Sequence, residues 1–91
     1  MPKQEGRFVI TEHARFEMGR RGIPEELVES VVSSPEQCCT VRPGRIIMQS
    51  RVVRASRTFL VRVVVDTDMN PQEVVTAYLT SKIGKYWRQG R

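Results

Sequence analysis

"RIIMQSRVVRASRTFLVRVVVD", Arg45 to Asp66, decides the fold. Two strand-length runs of period two flank the short break "RAS", Arg54 to Ser56, and so short a connection implies an antiparallel hairpin. In the second run Phe59, Val61, Val63 and Val65 form one apolar row, while Leu60, Arg62, Val64 and Asp66 form the other. Arg62 is therefore expected on the face turned away from the core. The first run is ambiguous: Ile46, Met48 and Val52 oppose Arg45, Ile47, Gln49, Arg51 and Val53. The second set is the more polar, and it joins Arg62 if it is the open one.

Working outward, the same alternation places strands near Cys38 to Arg42 and Glu73 to Thr80, with "PG" at Pro43-Gly44 and "DTDMNP" at Asp66 to Pro71 as turns. In the last strand Val75, Ala77 and Leu79 read as core, which turns Val74, Thr76, Tyr78 and Thr80 outward. Before Pro35 the period is helical. Thr11 offers an N-cap for a helix over Glu12 to Arg21 that stops at Gly22, with Ala14 and Met18 sharing a face. A second helix starts with Pro24 at its first position, carries Leu27, Val28, Val31 and Val32 inward, and ends at Ser33 to Pro35. "FVI", Phe8 to Ile10, suits a short edge strand. The expected order is β-α-α-β-β-β, an α+β domain with two helices covering one face of an antiparallel sheet.

A chain of 91 residues is expected to form one domain with a modest core, burying roughly 60% of its unfolded surface. The longest apolar run falls far short of the roughly 18 residues of a membrane span, and Met1 to Gly6 has no apolar core of a signal peptide. A cytoplasmic location is expected. Cys38 and Cys39 are adjacent, cannot build a disulfide framework, and read as reduced strand residues. No cluster of His, Cys or carboxylates has ligand spacing and no Gly-rich phosphate loop occurs, so neither metal nor cofactor is expected.

Charge is unevenly placed. Residues 1–36 hold seven acids and five bases, whereas residues 37–91 hold three acids and ten bases. A basic half on one domain suggests a polyanion partner, most simply nucleic acid; the alternative is a solvated surface that aids solubility. Beyond the last strand, "SKIGKYWRQGR" adds Lys82, Lys85, Tyr86, Trp87 and Arg88. Rings interleaved with cations suit RNA, whose phosphates take Arg and Lys and whose unstacked bases take aromatics. Arg45, Arg51, Arg54, Tyr78 and Arg88 are the expected nucleic-acid contacts. Arg62 suits a phosphate contact or, alternatively, a snorkelling side chain paired with Glu73. Tyr78 also reads as a packed strand aromatic, and Trp87 as a cover for the sheet edge. His13, the only histidine, sits on the first helix, behind the sheet, and reads as a surface or capping residue rather than a general base.

"ITEHARFEMGRRGIPEELVESVVSSPEQ", with "RVVVD" and "VVTAYLTSKIGKYWR", resembles a bacterial family of small proteins described only as a domain of unknown function. Its members share a His-Ala, Arg-Gly-Ile opening over two helices and a VVT-Y-TSK-KYW close. That family is in turn similar to the RelE/ParE toxins, through the element order and the basic closing segment. The resemblance implies a toxin of a type II toxin-antitoxin pair. Most such toxins are metal-independent endoribonucleases that cut mRNA, often in the ribosome, and an acidic antitoxin-like protein is the implied partner. ParE-like members instead poison DNA gyrase. Carried over by residue type, the resemblance assigns Arg62 to the phosphate charge and Lys82 or Lys85 to charge stabilisation or proton transfer. Tyr86 takes substrate orientation or acid work. A ribonuclease, a non-catalytic nucleic-acid binder and a protein-interaction module all remain open at this point.

Overall fold

A computed structural model describes residues 8–89; the polar opening Met1 to Gly6 lies outside them. The elements are β1 (Phe8–Ile10), α1 (Glu12–Arg21), α2 (Glu25–Ser33), β2 (Gln37–Arg42), β3 (Arg45–Arg54), β4 (Arg57–Asp66), β5 (Gln72–Thr80) and the short α3 (Ile83–Tyr86). One sheet runs in the order β1-β5-β4-β3-β2. The α+β class holds, with two corrections to the expected sheet. It has five strands among the described residues, one more than the order β-α-α-β-β-β counts although each lies near a strand the alternation places, and it is mixed, because β1 lies parallel to β5. Consecutive strands β2 to β5 are joined by short turns and must pair antiparallel, whereas β1 and β5 are separated by nearly the whole chain and are free of that constraint.

Local chemistry explains the element ends. The Thr11 hydroxyl accepts from the Ala14 amide at 3.0 Å, capping α1, and donates to the Val74 carbonyl at 3.1 Å, fastening the cap to β5. Gly22 closes α1 in the left-handed region at φ 69°, and its amide returns to the Gly19 carbonyl. Pro24 is the N-cap of α2 rather than its first helical residue. Its ψ of 151° is extended, while its carbonyl already accepts from the Leu27 and Val28 amides. Arg15 ties the two helices through Glu25 at 2.7 Å.

Both helices lie over one face of the sheet. Ala14, Met18, Ile23, Val28, Val31 and Val32 bury against Val61, Val63, Val65, Val74 and Ala77. Ile46, Met48 and Val52 pack against this cluster, which settles the ambiguity in β3. Arg45, Ile47, Gln49, Arg51 and Val53 therefore take the other face, in register with Leu60, Arg62, Val64 and Asp66 of β4.

One expectation for β5 fails. The β4–β5 register steps from Val64↔Thr76 to Val65↔Val74, leaving Val75 as an extra residue in a bulge. Val74, expected to point outward, is fully buried, and Val75, expected in the core, is only half-buried. A bulge inverts every side chain on one side of it. Ala77 and Leu79 keep their core places and Tyr78 its open one, because they lie beyond it.

Candidate functional site

The open face is organised around Arg62. Cross-strand register sets Arg62 of β4 between Gln49 of β3 and Tyr78 of β5, so three polar side chains stand side by side on one row. The Arg62 Nε donates to Gln49 Oε1 at 2.8 Å, and Nη1 donates to the Tyr78 hydroxyl at 2.7 Å. The Tyr86 ring, carried back over the sheet by α3, lies 4.0 Å from the guanidinium carbon. Arg62 is left only 8% exposed.

Every group holding that guanidinium is neutral. Among the described residues no carboxylate pairs with Arg62, and Nη2 makes no hydrogen bond. The alternative reading, a salt bridge to Glu73, does not occur: Glu73 stands opposite Asp66, well along the strand from Arg62. A buried cation without a counter-charge is costly, and a ring over its face returns only about 2 kcal/mol. The arrangement suits an incoming anion. The Tyr78 oxygen accepts from Arg62, which leaves its own O–H free to donate to the same ligand.

Two other arginines of this face, Arg45 and Arg51, are already neutralised. Arg45 forms a bidentate pair with Asp66 at 2.6 and 3.0 Å. Arg51 pairs with Glu36 through Nε and Nη2, both at 3.1 Å, and lies 4.4 Å from the Trp87 ring centre. These hydrogen bonds from the arginines hold the Asp66 and Glu36 carboxyls below their ordinary range; at Glu36 the Arg51 backbone amide adds to the effect. Arg45 and Arg51, expected to meet nucleic acid, thus have protein partners first.

Lys82 and Lys85 are exposed beside Arg62's cover, with the Lys85 amine 5.3 Å from the Tyr86 ring centre. Lysine and arginine converge on one tyrosine. The Arg88 side chain is exposed, while its backbone is gripped by Gln37: the Arg88 amide donates to Gln37 Oε1 at 3.0 Å, and Gln37 Nε2 donates to the Arg88 carbonyl at 2.8 Å. Arg54 is not brought to this site. It shares the helix side of β3, where its Nη2 donates to the Gly22 carbonyl. His13 is exposed on α1, in the opposite layer.

Gln37 is the residue that alternation missed. Starting β2 at Cys38 left it in a loop, but the strand begins one residue earlier and turns Gln37 onto the open face opposite Gln49. Among the described residues, no group of three or more His, Cys, Asp or Glu side chains is placed to hold a metal ion, and no helix is long and apolar enough to cross a membrane. Cys38 and Cys39 are both free thiols.

A family model described as Domain of unknown function (DUF4258) matches residues 10–79, from the end of β1 through β5. The chain belongs to the DUF4258 family. The match takes in the His-Ala and Arg-Gly-Ile opening and, within the site, Gln37, Gln49, Arg62 and Tyr78. Lys82, Lys85, Tyr86 and Arg88 lie beyond the DUF4258 match. No curated protein and no solved structure matches the chain.

Proposed function

We propose that this DUF4258 protein is a toxin of the RelE-like type, a metal-independent endoribonuclease that binds mRNA on its open sheet face. The observation that carries the reading is the Arg62 guanidinium, buried among neutral partners with one nitrogen uncommitted. A phosphodiester supplies the missing negative charge, and the planar guanidinium is the cation best matched to it. The resemblance of the element order and basic closing segment to the RelE/ParE toxins points the same way.

The chemistry asks little of a cofactor. The ribose 2′-oxygen attacks the adjacent phosphorus and gives its proton to a base; the 5′-oxygen leaves with a proton, producing a cyclic phosphate and a 5′-hydroxyl. Arg62 Nη2 and the Tyr78 O–H stabilise the charge that builds on the phosphoryl oxygens. Lys82 and Lys85 supply further positive charge or move the proton, and Tyr86, already against Arg62, orients the substrate or acts as the acid. An acidic antitoxin-like protein fits the same surface by charge.

A second reading is a non-catalytic nucleic-acid binder, or a protein-interaction module such as a ParE-like gyrase poison. It is favoured by the exposed setting of Lys82 and Lys85, since efficient proton transfer needs an amine held in place. Primer extension on cellular mRNA after induction separates the two. The ribonuclease reading predicts growth arrest and new transcript ends, both abolished by Arg62→Ala with Lys82→Ala. Intact transcripts beside salt-sensitive RNA binding would establish the binder instead.

A further inference from the structure

Gln49 is fully buried, and its amide has no freedom of orientation. Its Nε2 donates to Gln37 Oε1 at 2.8 Å and to the Tyr86 carbonyl at 3.2 Å, which directs Oε1 at the Arg62 Nε. A flipped amide would set N–H against N–H at Arg62 and oxygen against two oxygens on the other side. Gln37 is fixed in the same way. Its Oε1 faces the Arg88 amide and its Nε2 the Arg88 carbonyl, so it pairs with that residue as a neighbouring strand would. Donation runs outward from Arg62, on one side through Gln49 and Gln37 to the Arg88 carbonyl and on the other to the Tyr78 hydroxyl, so one connected chain links the Arg88 backbone to the site.

We propose that Gln37 and Gln49 are positioning residues, a relay of two neutral amides through which the terminal segment Ile83–Arg88 orients Arg62 for its anion. That the anion is an RNA phosphodiester rests on the reading above; the orienting does not. Neutrality is the point of the design. A glutamate at position 49 would accept from Arg62 as well as glutamine does, but it would set an oxygen against Gln37 Oε1 and the Tyr86 carbonyl and would cancel the charge that draws the ligand. Glutamine holds the guanidinium in plane and leaves its charge available. Because Tyr86 also covers Arg62, docking of the segment and occupation of the site are coupled, and by linkage each alters the other by the same factor.

The test uses the arginine Nε–H signals of the 15N-labelled protein, read beside affinity for a single-stranded RNA oligonucleotide. In the native protein the Arg62 Nε–H is protected from exchange, since Gln49 holds it away from water. Gln37→Ala removes no group that touches Arg62, yet it is expected to deprotect that signal and to weaken RNA binding by about tenfold, as for one lost orienting hydrogen bond. The Arg51 Nε–H, bonded to Glu36, is the internal control and stays unchanged. An Arg62 signal with native protection in Gln37→Ala would overturn the relay. Gln49→Glu is the complementary variant: it keeps the Arg62 signal protected and lowers RNA affinity to that of Arg62→Ala, and undiminished affinity would count against the proposal. Should the native protein bind no RNA while Gln37→Ala still deprotects Arg62, the relay stands and the RNA reading falls.

Discussion

Arg62 and Arg51 are two register pairs apart in the β3–β4 hairpin, share one face, and have opposite fates. Arg51 is bidentate to Glu36 and rests on Trp87; Arg62 is more deeply buried and has only amide, hydroxyl and ring around it. The difference lies in which acids reach them. Glu36 ends the acid-rich first part of the chain and adjoins β2, so it meets the near end of β3, while the centre of the sheet is supplied with no acid between Gln37 and Val65. Glu36 makes a separate prediction. Its carboxyl is held low in the folded state, so its contribution to stability is complete above the unfolded value of about 4.3 and is lost as pH falls through the lower folded value. Thermal melts of the native protein and Glu36→Gln should differ at pH 7, native being the more stable, and converge as pH falls through the lowered folded value. The gap will be small, because the pair is well exposed to solvent. A gap of constant size across this range would contradict the assignment.

Among the elements, the β3–β4 hairpin turns on Ala55 and Ser56, at φ 51° and 64°. Two consecutive left-handed residues are what a tight two-residue hairpin needs, and asparagine-glycine supplies them with least strain. Ala55→Asn with Ser56→Gly should therefore raise stability by about 1 kcal/mol, read as a higher denaturant midpoint with unchanged slope. A lower midpoint would show that the turn's conformation is not the limiting strain. The turn was legible in "RAS", as were the Thr11 cap, the Gly22 stop and the inward rows of α2 and β4, since each depends on neighbours in sequence. The bulge at Val75 was not. Val74 and Val75 are identical in type, and only pairing with β4, together with Ile10 of β1 lying opposite Val74, decides which is buried. The parallel placement of β1 escaped for the same reason, being set by a partner more than sixty residues away. Of the site, Arg62 and Tyr78 followed from alternation. Gln37 did not, because a one-residue difference in the start of β2 decides whether it joins the strand at all, and Arg54 was misplaced because parity along β3 puts it with Ile46 and Met48.

Across the whole molecule, the helices and the terminal segment divide the sheet between them. α1 and α2 cover one face with aliphatic side chains; Ile83–Arg88 folds over the other with two rings and two cations. The second contact is polar, held by Gln37 and Gln49 rather than by a core, and it sits over a buried uncompensated charge. The claim on which the rest depends is that this face, and not the helical one, receives the polyanion. Backbone-amide NMR during titration with a single-stranded RNA oligonucleotide tests it directly. The expected footprint runs along Gln49, Arg62 and Tyr78 and through Lys82 to Arg88, leaving α1 and α2 unmoved. Shifts centred on Phe16 and Arg20 of α1, with Arg62 and Tyr78 silent, would contradict it.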